Sequence, residues 1–221
     1  MIYVKQWDGK KGYIVTITGP MFSEKSGELI KECLNLQLYG KKTFKAFKPQ
    51  MDNRFSEDRI VSRMKFKYDD INSVNLSIPA MNLPKSIDDN IIEGILKDVD
   101  KYDVFAFDEV QFFEGKIIEL VMELFYNKKL VILAGLNTSY TGMPFGKIGD
   151  LMAISNEVIN KVAYCRVCRE PATLTQRLVD DMPAPIGELE QIGDCESYEP
   201  RCSDCFVPPH KVDHKANKKI S

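Results

Sequence analysis

Residues 19–26 read Gly-Pro-Met-Phe-Ser-Glu-Lys-Ser, which is a phosphate-binding loop with one fixed position changed. In the pattern G-x-x-x-x-G-K-[ST], backbone N–H groups cradle phosphate oxygens, the Lys reaches the β- and γ-phosphates, and the hydroxyl ligates Mg²⁺. Gly19, Lys25 and Ser26 match this pattern, whereas Glu24 stands at the second glycine. The intervening residues would line the cradle: Pro20, Met21, Phe22 and Ser23. A loop of this kind constrains the fold because it must join a strand to a helix.

The flanking sequence has the pattern that such a loop requires. Residues 13–17 form a short β-branched run, which is typical of a buried strand. After Ser26, apolar residues recur at roughly helical spacing: Leu29, Ile30, Cys33, Leu34 and Leu36. We therefore predict a strand, a loop and a helix whose N-terminus points at an anion. The alternative for this segment is an ordinary turn between a strand and a helix.

Strand-like runs continue to alternate with helical patterns up to about residue 164. Three further runs are predicted strands: 43–47, 104–107 and 130–134. Ser86 and Asp89 resemble a capping box at the start of one helix, and 115–127 has the pattern of another. This alternation predicts an α/β fold with a parallel sheet covered by helices on both faces.

The composition excludes some classes of protein. Hydrophobic residues make up 44% of the 221-residue chain and charged residues 28%, and the net charge is −2. These values are ordinary for a soluble globular protein and give no general case for binding nucleic acid or an anionic membrane. The chain shows no apolar stretch near 18 residues, and its first residues lack the apolar core of a secretory signal. We therefore expect a cytoplasmic protein with no membrane partner.

Two acids follow the predicted strand at 104–107. In an open α/β sheet, ligands bind beyond the carboxyl ends of the strands, where Asp108 and Glu109 should lie. One carboxylate there can hold Mg²⁺ opposite the loop hydroxyl, and the second can take a proton from an attacking hydroxyl. The alternative is that the acidic pair only ends a strand in a polar turn.

Two C-x-x-C pairs lie in the last quarter of the chain. Cys165 with Cys168, and Cys202 with Cys205, have the spacing of two zinc knuckles. In the cytosol we favour structural Zn²⁺ in a closed Cys₄ site over free thiols or redox chemistry, with an inserted segment between the pairs. Cys33 is expected in the core, and Cys195 has no assigned role. Weaker candidate ligands lie in the basic segment at 210–221, which we expect to be a solvated tail: His210 and His214.

Taken together, these motifs resemble those of thymidine kinases of the zinc-containing cellular type. The resemblance runs from about residue 12 to 206 and includes the loop and the two knuckles. It also rests on further short motifs in a fixed order: Phe47-Lys48-Pro49, Asp52-x-Arg54-Phe55-Ser56, Phe107-Asp108-Glu109-x-Gln111-Phe112-Phe113, Gly135-Leu136, Pro144-Phe145-Gly146, Thr175-Gln176-Arg177-Leu178, and Ile192-Gly193 followed by Tyr198. It implies a P-loop-type ATP-binding domain at 1–164, a small zinc-ribbon-like lasso domain at 165–209, and a tail at 210–221.

The resemblance also implies an activity and the residues that carry it. A member of this family transfers the γ-phosphate of ATP to the 5′-hydroxyl of thymidine, giving dTMP for the salvage of DNA precursors. Glu109 would be the general base, with Arg54 and Lys25 acting on the phosphates. ATP and Mg²⁺ would be held by the loop from Gly19 to Ser26 together with Asp52, Asp108 and Gln111. The thymine pocket and its lasso would comprise Phe112, Leu136, Tyr140, Phe145, Thr175, Ile192, Gly193 and Tyr198.

Several partners follow from the same resemblance. Thymidine is the expected acceptor, deoxyuridine a second candidate, and dTTP a candidate feedback inhibitor. A homotetramer or homodimer is expected.

Glu24 motivates a rival hypothesis. A residue at the second loop glycine usually has a positive φ, which costs a side chain roughly 1–2 kcal/mol, and a carboxylate near the polyphosphate would be repelled. The chain could therefore be an impaired or inactive relative that binds nucleotides without turnover. A third hypothesis, a zinc-ribbon module that binds nucleic acid, is disfavoured by the net charge of −2.

Overall fold

The structure is a computed structural model that describes residues 7–50, 58–62, 76–187 and 198–209. The strands within these ranges are β1 Tyr13–Gly19, β2 Phe44–Pro49, β3 Arg59–Val61, β4 Ser77–Pro79, β5 Met81–Leu83, β6 Ser86–Ile87, β7 Val104–Phe107, β8 Glu114–Gly115, β9 Leu130–Leu136, β10 Glu157–Asn160, β11 Ala163–Tyr164, β12 Pro171–Ala172, β13 Leu174–Val179, β14 Met182–Pro183 and β15 Tyr198–Arg201. The α-helices are α1 Lys25–Leu38, α2 Asp89–Leu96, α3 Ile117–Tyr126 and α4 Ile148–Ile154.

Six of these strands form a central parallel sheet, as the sequence predicts. Their order is β10-β1-β9-β7-β2-β5, and every neighbouring pair is parallel. Because the strands are parallel, β1, β7 and β9 end at the same edge of the sheet. The register places Gly19 of β1 beside Leu136 of β9. The phosphate loop and the acids after β7 therefore converge at one edge.

The sheet is buried on both faces, which is why its strands are nearly continuous apolar runs. On one face, α2, α3 and α4 pack against a layer that includes Phe47, Phe105 and Phe107. On the other face, Leu29, Ile30 and Cys33 of α1 pack against alternate residues of the same strands. The predicted α/β architecture, and the core position of Cys33, are confirmed.

The antiparallel pair β3–β4 extends the α1 face of the molecule. Ile60 of β3 and Ile78 of β4 are fully buried in the same apolar layer as α1. The pair therefore packs directly beside the helix that follows the phosphate loop.

The start of α2 differs from the sequence-based prediction. The N-cap is Asp88, whose carboxylate accepts a hydrogen bond from Ile91 N at 3.0 Å. Ser86 instead lies in β6, which pairs with β8. The expected capping box was wrong because Ser86 is drawn into a strand, and a carboxylate one position before Asp89 satisfies the helix N-terminus.

The later part of the chain forms two small antiparallel sheets beside the cysteines. β11 pairs with β12, and β14, β13 and β15 form a three-stranded sheet. In the part of the chain that the structure describes, none of the helices is both long enough and apolar enough to cross a membrane.

Candidate active site

The phosphate loop is shaped by its glycine and by its own side chains. Gly19 has φ 150°, and a Cβ there would lie 2.4 Å from the Lys161 carbonyl oxygen, so a side chain cannot be accommodated. Ser23 Oγ donates to Pro20 O at 2.8 Å, and Lys25 Nζ donates to the same oxygen at 2.7 Å. The loop is thus a compact turn with its lysine folded over it at the N-terminus of α1.

Glu24 has the backbone conformation that the pattern reserves for glycine. Its φ of 60° and ψ of 38° lie in the left-handed region, as expected for this position of the loop. Its carboxylate makes no capping bond to α1. Oε2 instead accepts a hydrogen bond from Ser62 Oγ at 3.1 Å, and Ser62 follows directly after β3.

Ser26 and Asp108 meet across the sheet edge. Ser26 Oγ donates to Asp108 Oδ1 at 3.0 Å, so the hydroxyl of the loop and the first acid after β7 are in direct contact. Burial and, second to it, the charge of Glu109 raise the pKa of Asp108, and the hydrogen bond from Ser26 opposes them, so that the net value is about 7. A hydroxyl and a carboxylate at hydrogen-bond distance are the hard oxygen donors that Mg²⁺ prefers, so the residues present fit this ion.

Glu109 is held beside Asp108 by Gln111. Glu109 also has a left-handed backbone, with φ 51° and ψ 41°. Gln111 Nε2 donates to Glu109 Oε2 at 2.6 Å, and Gln111 Oε1 accepts from Leu136 N at 3.0 Å. Since the Gln111 side chain is buried, it fixes the Glu109 carboxylate between the ends of β7 and β9. The structure thus uses Gln111, predicted to contact the nucleotide, to orient the predicted base.

Thr175 connects the phosphate loop to β13. Its Oγ1 accepts a hydrogen bond from Met21 N at 3.0 Å, and the side chain is buried. The next residue, Gln176, exchanges two hydrogen bonds with Val207, at 3.1 and 2.8 Å. β13 therefore ties the loop on one side to the segment that follows the second cysteine pair on the other.

The aromatic residues predicted for the thymine pocket form two groups. Phe112 and Phe145 contact each other edge to face, with ring centroids 5.2 Å apart, and Lys85 Nζ lies 5.5 Å above the Phe112 ring. Tyr140 is buried, and the Arg177 guanidinium lies 5.2 Å from its ring centroid. Tyr140 and Phe145 lie in the segment after β9, whereas Phe112 lies shortly after β7.

Tyr140 and Tyr198 stand at the two ends of the segment 188–197. The Tyr140 hydroxyl donates to Gly187 O at 3.0 Å and accepts from Gly187 N at 2.8 Å. Tyr198 begins β15 and pairs with Arg177 of β13. Burial raises the pKa of the Tyr198 hydroxyl, and the Arg177 charge opposes that shift.

Four of the predicted site residues cannot be placed. They fall outside the described residues: Asp52, Arg54, Ile192 and Gly193.

The four predicted zinc ligands come together. The sulfur atoms of Cys165, Cys168, Cys202 and Cys205 all lie within 4.8 Å of one another. In a tetrahedral zinc site, Zn–S bonds of about 2.3 Å place the sulfurs roughly 3.8 Å apart, so this cluster fits Zn²⁺. Burial raises the pKa of the Cys165 thiol, but backbone N–H groups of Cys168, Cys202 and Val167 lower it to a net value of about 6. The Cys165 position therefore favours a thiolate, whereas hydrogen bonds with neighbouring sulfurs raise the pKa of the Cys205 thiol to about 12.

Sequence reasoning missed several residues that the fold brings to the site. Ser62 and Gly27 adjoin the Glu24 carboxylate. Asn137 Oδ1 and Thr138 Oγ1 are buried just after β9 and have no hydrogen-bond partner among the described residues. The rule that placed Asp108 at the carboxyl end of a strand also points to Asn137 and Thr138.

Comparison with known families agrees with this geometry. A sequence model of the family described as thymidine kinase matches residues 12–206. The match spans the phosphate loop, the acids after β7 and both cysteine pairs. The chain therefore belongs to the thymidine kinase family.

Proposed function

We propose that this protein transfers the γ-phosphoryl group of ATP to the 5′-hydroxyl of thymidine, giving dTMP and ADP. The observation that carries the proposal is the arrangement of Ser26, Asp108 and Glu109 at the end of β7. A hydroxyl and a carboxylate fit for a metal lie 3.0 Å apart there, and a second, separately fixed carboxylate follows at once. Such a reaction depends on positioning and charge stabilisation, and needs no enzyme nucleophile.

Each residue has a role in this scheme. Ser26 and Asp108 would hold Mg²⁺, which neutralises charge on the β- and γ-phosphates. Lys25, which can leave the Pro20 carbonyl, would bind the same phosphates. Glu109 would accept the proton of the 5′-hydroxyl while the 5′-oxygen of the nucleoside bonds to the γ-phosphorus. At the same time, the bond between the γ-phosphorus and the oxygen that bridges it to the β-phosphate would break, which releases ADP. Gln111 holds Glu109 in place, which limits the rotamers available to the base.

The nucleoside would bind between the aromatic groups and the segment 188–197. Phe112 and Phe145 offer apolar faces for a base, and Tyr140 anchors the start of that segment at Gly187. We propose that the backbone near Ile192 and Gly193 reads the base edge and that Tyr198 closes over it. Thymidine is the proposed acceptor and deoxyuridine a weaker one, with dTTP as a feedback inhibitor.

Structural zinc would support this binding region. The cluster brings the first cysteine pair next to the second, and β13 connects the segment after Cys205 to the phosphate loop through Gln176 and Thr175. We propose a lasso domain at 165–209, packed against an ATP-binding domain at 1–164. One zinc per chain is expected by elemental analysis, and Cys168→Ser should lose it together with thymidine binding. Protein purified without chelators that holds no zinc would refute this part.

The wider setting is also proposed. We place the protein in the cytoplasm, as a homotetramer or homodimer.

The direct test uses purified protein with thymidine, Mg²⁺ and ATP labelled at the γ-phosphate. Label should appear in dTMP, and omission of Mg²⁺ should abolish it. If thymidine and Mg·ATP both bind in calorimetry but no label transfers, the second candidate function, nucleotide binding without turnover, replaces the first. Glu24 is the observation that favours this second candidate.

A further inference from the structure

The Glu24 carboxylate points to one side of α1. Ser62 Oγ donates to Glu24 Oε2 at 3.1 Å, and Ser62 is buried where β3 ends. β3 packs beside α1, so the bond joins the phosphate loop to a separate element of the fold. The two partners are 38 positions apart in the sequence, so the contact depends on the tertiary structure.

Gly27 provides the space that this arrangement needs. A Cβ at Gly27 would lie 2.7 Å from Glu24 Oε2 and 3.2 Å from Ser62 Oγ. The carboxylate and the serine hydroxyl therefore occupy the volume that a side chain at position 27 would fill. Gly27 is helical and has no positive φ, so its backbone does not require glycine.

The same geometry separates the carboxylate from the metal side of the loop. Ser26 points to Asp108 at the edge of the sheet. Gly27 is the next residue of α1, so a Cβ at this position would lie about 100° further round the helix axis, on the side that faces β3. The Glu24 carboxylate lies on the Gly27 side, away from the position where Ser26 and Asp108 meet.

We propose that Ser62 and Gly27 are positioning residues that hold the Glu24 carboxylate away from the polyphosphate. They would compensate for the loss of the loop glycine: one supplies a hydrogen bond to the displaced charge and the other supplies the space. The inference rests on the proposed function to the extent that a polyphosphate binds this loop.

Two consequences follow. Glu24 has the left-handed backbone that this position of the loop requires, so its strain is part of the cost of forming the loop. What remains is the charge, whose effect on ATP depends on where the carboxylate lies. Releasing the carboxylate should therefore weaken ATP binding, and it should do so only while the charge is present.

Calorimetric titration of Mg·ATP into the full-length protein tests this in a double-mutant design. Ser62→Ala and Gly27→Ala should each raise the ATP Kd about three- to tenfold, since one removes the hydrogen bond and the other displaces the carboxylate. In the Glu24→Gly background, both substitutions should leave the Kd unchanged. The increase should shrink at high salt, because it arises from charge repulsion.

Ser77→Ala is the matched control. Ser77 lies on β4 and hydrogen-bonds to Arg59 of β3, so its loss disturbs the same strand pair without touching Glu24. Its ATP Kd should equal that of the unsubstituted protein. Equal effects of Ser62→Ala with and without Glu24→Gly would overturn the proposal, as would an unchanged Kd in Ser62→Ala itself.

The proposal can be judged even if the kinase function fails. Absence of Mg·ATP binding in every variant, including Glu24→Gly, would refute the proposed function. Urea unfolding of the same variants would then test whether Ser62 and the space beside Gly27 hold the Glu24 carboxylate. Gly27→Ala should stabilise the protein in the Glu24→Gly background more than in the original one, because only the original one must displace a carboxylate. Additive effects of these substitutions, together with additive effects of Ser62→Ala and Glu24→Gly, would overturn the proposal.

Discussion

Two turns at the same edge of the sheet each contain a glutamate with a left-handed backbone. Glu24 follows β1 with φ 60°, and Glu109 follows β7 with φ 51°. Each carboxylate accepts a side-chain hydrogen bond, from Ser62 in the first turn and from Gln111 in the second. The bonds lead in different directions, because Gln111 keeps Glu109 beside Asp108 whereas Ser62 draws Glu24 towards β3.

The difference teaches that two carboxylates with the same backbone conformation are directed to different places by their hydrogen-bond partners. Strain of about 1–3 kcal/mol at a left-handed residue persists only where the surroundings fix it, and both turns meet that condition. We infer that Gln111 holds Glu109 where it can act as a base, whereas Ser62 holds the Glu24 carboxylate away from the phosphates.

The largest effect should come from removing the charge at the second turn. Glu109→Gln keeps the size of the side chain but cannot accept the 5′-hydroxyl proton, so kcat should fall roughly 10²- to 10⁴-fold. Thymidine binding should persist in calorimetry. The exposed Glu119 of α3 provides a control, Glu119→Gln, with normal kcat. A near-normal kcat in Glu109→Gln would remove Glu109 from the role of base.

The corresponding change at the first turn should act on binding and in the opposite direction. Glu24→Gly and Glu24→Gln should both tighten Mg·ATP binding about tenfold, or about 1.4 kcal/mol, because a carboxylate held on the β3 side by Ser62 still repels the highly charged polyphosphate at longer range. Calorimetry at matched salt measures this. If only the glycine variant binds more tightly, backbone strain and not charge is the cause. An ATP Kd equal to that of the unsubstituted protein in both variants would show that Glu24 is harmless.

The partner of Glu109 should matter less than Glu109 itself. Gln111→Ala removes the donor to Glu109 and the acceptor for Leu136 N, so kcat should fall about tenfold, which corresponds to one or two lost hydrogen bonds. Steady-state kinetics measures this, and the ATP Kd of the same variant shows whether Gln111 also contacts the nucleotide. An unchanged kcat would mean that Glu109 is oriented by other means.

The smallest effects concern two further glutamates, one turn apart on α1. Burial raises the pKa of Glu28, but hydrogen bonds from Lys161 and Lys31 outweigh it, so the net pKa is lowered. The pKa of Glu32 is raised, mainly by burial and also by the Glu28 charge, and its carboxylate oxygens have no hydrogen-bond partner among the described residues. The same residue type on one helix is therefore expected to have opposite effects on stability.

Urea unfolding should reveal these opposite signs. A lowered carboxyl pKa stabilises the fold above the ordinary value of 4.5, and a raised one destabilises it once the group ionises. At pH 7, Glu28→Gln should lower the free energy of unfolding by about 1 kcal/mol, and Glu32→Gln should raise it by about the same amount. The Glu28 difference should shrink as the pH falls below 4.5, whereas the Glu32 difference should shrink as the pH falls towards 4.5 and be nearly absent below it. Equal signs at pH 7 would contradict the account.

Local patterns predicted the parts of the fold that depend on neighbours in sequence. The strand at 13–17 extends to Gly19, the run at 43–47 is β2 from Phe44, and the helix expected at 115–127 is α3 from Ile117. The two cysteine pairs also meet as predicted. The C-x-x-C spacing places the two sulfurs of each pair close together, so each pair is one half of the set of four ligands. The pairing rule for parallel strands was enough to bring Ser26 and Asp108 together.

Contacts between distant elements could not be predicted in this way. Nothing in the sequence indicates that Ser62 lies beside Glu24, because the approach depends on how β3 packs on α1. The hydrogen bond from Met21 N to Thr175 likewise depends on the placement of β13 against the loop. Gly27 offered a weak signal, since a glycine in the first turn lowers the stability of a helix and is better explained there if another group needs the space of its side chain.

The central claim is that this member of the thymidine kinase family is an active kinase although Glu24 replaces the loop glycine. Its most direct test is the rate of label transfer from ATP to thymidine, measured over a range of ATP concentrations in the original protein and in Glu24→Gly. The account predicts dTMP formation by both, with similar kcat and a KM for ATP about tenfold lower in Glu24→Gly. Transfer by Glu24→Gly alone, or by neither protein, would contradict it.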